Sequence, residues 1–224
     1  MTRDRATEDT DAMESLYPFL YSKETDLASV LEQVRQSTVD KAREITSLRA
    51  TVLERDRSKL TECAHAMAAS FAAGGRLLAF GNGGSSTDAQ DMASLFLSPA
   101  GNEHPLPAIG LTNDIAVVTA LGNDIGFEIV FARQIAAWGR QGDIAVGLST
   151  SGNSANLLWA FDKARERGMV TIGIAGYDGG KMAELDSIDH LFVVPSPSVH
   201  RIQEAQTTVY HALWELAQAA LTTR

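Results

Sequence analysis

Residues 77–85, Leu-Leu-Ala-Phe-Gly-Asn-Gly-Gly-Ser, run from an apolar stretch into three glycines within four positions, and helical spacing follows. The chemistry suited to such a turn is anion binding. Gly81, Gly83 and Gly84 open backbone conformations closed to other residues and let the main chain come close to a ligand. Ser85 is placed to cap the next helix and to present its hydroxyl. Unpaired amides at a helix start, together with the helix dipole, favour negative charge. A second turn of this kind, residues 149–154, reads Ser-Thr-Ser-Gly-Asn-Ser and again sits between an apolar run and a helical segment. Ser149, Thr150, Ser151 and Ser154 supply hydroxyls, Gly152 bends the chain, and Ser154 stands at a cap position. Either turn alone is also explained as a strand-to-helix connection that binds nothing. Neither ends in the Gly-Lys-Ser/Thr of a nucleotide P-loop. The first also departs from a dinucleotide fingerprint, because Ser86 holds the place of its third glycine and no acid ends the apolar run at 107–111. A small phosphorylated metabolite is therefore the expected ligand class.

The elements that must hold these turns follow from apolar periodicity. Short apolar runs at 76–80, 107–111, 143–149, 170–176 and 190–194 read as buried strands, with helical segments such as 154–167 between them. That alternation predicts a parallel sheet with helices on both faces, and such sheets bind ligands beyond the carboxyl ends of their strands. Two Ser/Gly turns at equivalent strand ends would converge on one crevice. Between Asp26 and Ala73 glycine and proline are scarce and apolar residues recur at helical spacing, which predicts one or two long helices closing at Gly74-Gly75. A last helix over 201–221 turns Ile202, Val209, Leu213, Leu216 and Ala220 to the core, leaving Gln203, Thr207 and His211 as a polar stripe at four-residue spacing. By itself His211 reads as a histidine hydrogen-bonded at a helix interface.

A chain of 224 residues with 45% hydrophobic and 21% charged residues has globular composition. A net charge of -9 argues against nonspecific binding to nucleic acid or anionic membrane. Cys63, the single cysteine, excludes an intrachain disulfide and reads as a core residue. The polar start offers no apolar stretch for a signal peptide, no run reaches the length of a membrane span, and a cytoplasmic protein is the expectation. Residues 1–23 read as a flexible acidic tail with an aromatic docking segment, Ser-Leu-Tyr-Pro-Phe-Leu-Tyr. His65, His104 and His190 read as packing or surface residues, and the mixed charges over 40–59 as a solvated helix face.

The blocks GNGGSSTDAQ, GNDIGFE, GDIAVGLSTSGNSANL, GYDGGKMAEL and RIQEAQTTVYH, in that order, resemble the sugar isomerase (SIS) domain family, and within it the phosphoheptose isomerases. The resemblance runs from about Leu27 to the end, so residues 24–224 are expected to form a single SIS domain including the amino-terminal helices. It implies a flavodoxin-like three-layer α/β sandwich with a five-stranded parallel sheet. It further implies a homotetramer with sites between subunits and ketose-aldose isomerisation of sedoheptulose 7-phosphate, or a related heptose phosphate, through an enediol. Position by position, it assigns phosphate and sugar binding to Asn82, Gly83, Ser85, Ser149, Thr150, Ser151 and Ser154, and places Asp114 beside the sugar. It aligns Gln203 and His211 with residues at the reacting end of the substrate, which ligate zinc in metal-bound members.

Three positions depart from the family's pattern. Asp91 replaces a histidine, Leu95 replaces the catalytic glutamate, and His200 replaces an acid before the last block. Leucine cannot move a proton. Asp91, one turn from Leu95 on the same helix face, is the expected substitute base, with His211 the retained acid-base group. A metal-free site is expected. The alternative is zinc on Asp91, Gln203 and His211, although glutamine is a poor ligand. The rival reading is a noncatalytic phosphosugar-binding or protein-scaffolding SIS protein, resembling replication-initiator-associating proteins.

Overall fold

The computed structural model describes residues 27–101 and 103–223. The expected tail at 1–23 lies outside the described residues. The chain falls into two compact units that divide after Thr46. The described part of the first unit is helical, the opening of α1 (Leu27–Arg55), with Leu27, Leu31 and Val34 exposed.

In the second unit the last turns of α1 lead to α2 (Arg57–Ala72), followed by β1 (Leu77–Gly81), α3 (Gly84–Leu97), β2 (Ala108–Gly110) and α4 (Ile115–Asp124). A 3-10 turn, Phe127–Ile129, leads into α5 (Val130–Trp138), then β3 (Ile144–Leu148), α6 (Ala155–Glu166) and β4 (Val170–Gly176). The 3-10 turn Gly180–Glu184, β5 (His190–Val194) and α7 (Val199–Thr222) complete it. The five strands pair in parallel in the order β2-β1-β3-β4-β5. All five lie where the apolar runs predict them. Helix α2 also ends where expected, with Gly74 at φ 84° closing it.

Both faces of β1 and β3 are buried, which is why these strands read as continuous apolar runs rather than alternating ones. Helices α2, α3 and α7 pack on one another on one face, while α5 and α6 pack together against the other. Phe80 on β1 meets Phe131 and Phe161 with ring centroids 5.5 and 5.4 Å apart. Gly147 on β3 lies beneath two of these rings, where a Cβ would stand 2.5 Å from Phe161 and 2.8 Å from Phe80. The central strand thus surrenders a side chain so that large rings can interlock. Among the described residues no helix is long and apolar enough to cross a membrane.

Strand order reverses between β1 and β3: from β1 the chain moves outward to β2 and then returns across it to β3. In a doubly wound sheet that reversal opens a crevice at the carboxyl ends of the two strands. Gly81 is in register with Leu148, so both Ser/Gly turns emerge side by side at this point.

Candidate functional site

The first turn is narrow by construction. A Cβ on Gly81 would overlap the Ser85 carbonyl and come within 2.9 Å of the Leu148 carbonyl oxygen. Gly83, at φ 55°, is the N-cap of α3 and supplies no side chain to cap it. The expected cap, Ser85, instead lies inside the first turn of the helix and is buried, its N–H donating to Asn82 O at 3.1 Å. The glycines that let the chain turn this sharply start the helix two residues earlier than a serine cap would.

The second turn is built by its own hydroxyls. Ser149 Oγ accepts from Gly152 N at 3.0 Å, and Ser151 Oγ accepts from Asn153 N at 3.3 Å. Ser154 is the N-cap of α6, and its carbonyl accepts from Leu157 and Leu158. Its hydroxyl makes no capping hydrogen bond, contrary to the expectation from sequence. Thr150 and Ser151 are half-buried at the rim.

The first turn is joined to α6, the helix that follows the second. Asn82 Nδ2 donates to Asn156 Oδ1 at 2.9 Å and Asn156 Nδ2 donates to Asn82 Oδ1 at 2.8 Å, a reciprocal amide pair from the first turn to α6. Asn156 is buried and does not stand out from the sequence. Its block, Gly-Asn-Ser-Ala-Asn, draws the eye to the hydroxyls and glycine rather than to a second asparagine.

Helix α7 closes the site from the side. Gln203 approaches the first turn so closely that a Cβ on Gly84 would overlap its amide nitrogen. The same nitrogen donates to Asp88 Oδ2 at 3.2 Å. Gly84, Thr87, Asp88, His200, Gln203 and Thr207 line a cleft of about 420 Å³ here. Burial pushes the Asp88 carboxyl above the usual carboxylate range, the Gln203 hydrogen bond opposes this, and the charge of Asp91 adds to it. Asp88 escapes a reading of the sequence because its partner lies 115 residues away. Asp91, the expected substitute base, accepts at Oδ2 from the Tyr210 hydroxyl at 2.5 Å. Burial and this acidic neighbour push the Tyr210 phenol upward. His211 stacks on the Tyr210 ring, with centroids 5.2 Å apart and planes 29° from parallel. Asp114 is the N-cap of α4, its Oδ1 accepting from Val117 N at 3.1 Å, and it is exposed. Thr112, two residues before it, receives a hydrogen bond from Gln90 and shares one with Ser86, which ties this segment to α3.

Among the described residues, no group of three or more His, Cys, Asp and Glu side chains is placed to hold a metal ion. Of the trio expected for zinc, Asp91 is engaged by Tyr210, Gln203 by Asp88, and His211 stacks on the Tyr210 ring. These donors fit zinc poorly.

The family model of the SIS domain matches residues 42–176, through both turns and the strands that carry them. The phosphoheptose isomerase of Nitratidesulfovibrio vulgaris, strain Hildenborough, is 43% identical over 183 residues, covering 81% of this chain and 87% of the relative. This chain belongs to the SIS-domain phosphoheptose isomerases. The Desulfovibrio desulfuricans phosphoheptose isomerase is 46% identical over 177 residues, 78% of this chain and 83% of that one. Among solved structures, a phosphoheptose isomerase from Neisseria gonorrhoeae superposes with a TM-score of 0.76 at 36% identity, covering 83% of this chain and 99% of that one. The SIS fold expected from the motifs, a five-stranded parallel sheet between helical layers, is the one observed. Side-chain bonds across long sequence distances join the elements of this SIS domain around the two turns, Asn82 with Asn156, Gln203 with Asp88 and Tyr210 with Asp91.

Proposed function

We propose that this SIS domain isomerises a ketose phosphate to its aldose, with sedoheptulose 7-phosphate or a related heptose phosphate as substrate. The observation that carries this reading is the convergence of residues 81–85 and 149–154 at the sheet's reversal point, in a chain 43% identical to a phosphoheptose isomerase. The phosphate is held by Gly83 and Ser85 of the first turn and by Ser149, Thr150, Ser151 and Ser154 of the second, where two helix starts point at one place. Asn82 serves this grip through the amide pair with Asn156, and Asp114 stands toward the sugar hydroxyls.

Isomerisation needs a base for the proton on C1, a proton donor for the C2 carbonyl oxygen and support for the enediolate between them. His211 exchanges the proton in this reading. Gln203 offers its amide to the developing oxyanion, and Asp91, held by Tyr210, is the substitute base in place of the residue that Leu95 cannot supply. Through His211 the C1 proton returns to C2, while Asp91 carries the O1 hydroxyl proton to O2 as the C1 carbonyl forms, so protons balance and the step is redox-neutral overall. Protein groups alone carry each of these roles. The assembly is a homotetramer with sites at its interfaces, in the cytoplasm, and its partner is the phosphorylated sugar rather than nucleic acid or membrane.

The test is NMR of sedoheptulose 7-phosphate with the purified protein in heavy water, with and without zinc. Deuterium should appear next to the carbonyl and an aldose phosphate should accumulate. Binding without exchange or aldose under either condition would count against the enzyme. A second measurement addresses the grip. Replacing Ser151 and Ser154 together with alanine removes two hydroxyl partners of the phosphate, each charge-assisted bond being worth roughly 1.5–3 kcal/mol. Sugar-phosphate affinity should fall by at least about tenfold. Unchanged affinity by titration calorimetry would remove the second turn from the site.

A further inference from the structure

Gln206 lies on α7 one turn beyond Gln203 and is completely buried. Its Nε2 donates to two main-chain carbonyls at once, Ser149 O and Ile174 O, both at 3.1 Å. Ser149 opens the second turn, and Ile174 on β4 is the register partner of Leu148, the last residue of β3. The amide therefore sits across the seam where the phosphate turn leaves the sheet. Its Oε1 is buried with no hydrogen-bond partner among the described residues. An unsatisfied buried acceptor is costly, and an apolar side chain of equal length would fill the same space without that penalty. Packing alone does not account for the residue.

Its surroundings leave little freedom. A Cβ on Gly176, at the end of β4, would overlap the Thr150 carbonyl and come within 2.6 Å of Ile202 on α7. Helix α7, the β4 end and the second turn thus meet without room for a methyl group. From this same helix Gln203 reaches the first turn and Asp88, and Tyr210 reaches Asp91.

We propose that Gln206 is a positioning residue: its amide fixes the separation between the turn that grips the phosphate and the face of α7 that meets the other end of the sugar. The proposal rests on the phosphate-turn reading above. Gln206 touches no ligand in it. A sugar phosphate spans both ends and senses their separation, whereas inorganic phosphate occupies only the grip, and small misplacements are costly for ligands held at two points.

The experiment compares wild type, Gln206→Met and Gln206→Asn, each as the full chain. Dissociation constants for sedoheptulose 7-phosphate and for inorganic phosphate are measured by titration calorimetry, at a temperature where circular dichroism shows every variant folded. Wild type should bind the sugar phosphate more tightly than inorganic phosphate. Gln206→Met, similar in volume but without a donor, should cut that preference about tenfold and leave inorganic phosphate within about twofold. Gln206→Asn, which keeps an amide one methylene shorter, should recover part of the preference, and it carries the comparison if the methionine variant does not fold. An unchanged preference with a lowered melting temperature would reduce Gln206 to packing. Equal losses for both ligands would make it a folding element of the turn and overturn the proposal, as would a wild-type preference of one. Failure of the isomerase reading is seen separately, as absent deuterium exchange in wild type, and leaves a changed preference standing.

Discussion

His211→Ala is expected to slow deuterium exchange into sedoheptulose 7-phosphate by about 100 to 10,000-fold, the usual contribution of a placed acid-base group. The imidazole stacks on the Tyr210 ring, which holds its plane, and Tyr210 is in turn tied to Asp91. In the proposed reaction, removing the imidazole takes away the acid-base group and leaves residues 81–85 and 149–154 unchanged. Affinity for inorganic phosphate should stay within about twofold, since the substitution lies outside the contacts of residues 81–85 and 149–154. Rate loss with retained phosphate binding places His211 at the reacting end. Exchange at the wild-type rate would return it to the role its sequence context first suggests, a histidine in a helix interface, and would direct attention to Asp88 in the neighbouring cleft.

The second large effect is on the second turn itself. Gly152 adopts φ 67°, and a Cβ there would overlap the Gly179 carbonyl oxygen and stand 3.2 Å from Gly180 N. The turn is bonded to the same segment through Met182 N to Gly152 O at 3.0 Å and Lys181 N to Asn153 Oδ1 at 3.0 Å. Gly152→Ala therefore combines a left-handed backbone, costing about 1–2 kcal/mol outside glycine, with overpacking worth about 1–3 kcal/mol. A loss of about 2–5 kcal/mol in urea unfolding is expected, with sugar-phosphate binding weakened as the turn is pushed off residues 179–180. Gly83→Ala is the informative control. Gly83 has a comparable φ of 55°, but an added methyl group would meet nothing within 4 Å, so only the backbone cost applies. Equal destabilisation by the two variants would show that the Gly179 contact matters less than its geometry implies.

Much of this architecture is legible in the sequence. Five apolar runs became five strands because a doubly covered parallel sheet requires near-continuous apolar residues, and β4 matches its predicted bounds, Val170–Gly176. The two turns were legible because glycine and hydroxyl residues at strand ends have local causes. Helices α4 and α5 were less visible. Val117 N donates a capping bond to Asp114, and Ile115 and Val117 are exposed, so no clean apolar stripe marks α4. At the site, residues whose role depends on a partner far along the chain escaped: Asn156 through Asn82, Asp88 through Gln203, and Gln206 through Ser149. Tyr210 carried a faint signal, since it follows Gln203 by seven residues on one helix, but beside His211 it reads as an ordinary core aromatic. Family likeness pointed to Gln203 and His211 and its pattern departs at Asp91 and Leu95, and the Tyr210 bond to Asp91 is how this chain satisfies one of those changed positions.

The bonds that tie the first turn to α6 and the second turn to α7 are made by carboxamides: Asn82 with Asn156, and Gln206 with the carbonyls of Ser149 and Ile174. Carboxamides neither gain nor lose protons in ordinary buffers and carry no net charge for dissolved salt to screen. Acid, base and ionic strength consequently leave this frame alone. Variation of rate with pH then reports groups outside this frame, namely the reacting groups, Asp88 beside Gln203 and the ligand's own ionisation, and variation of affinity with salt reports the phosphate dianion entering a negatively charged protein.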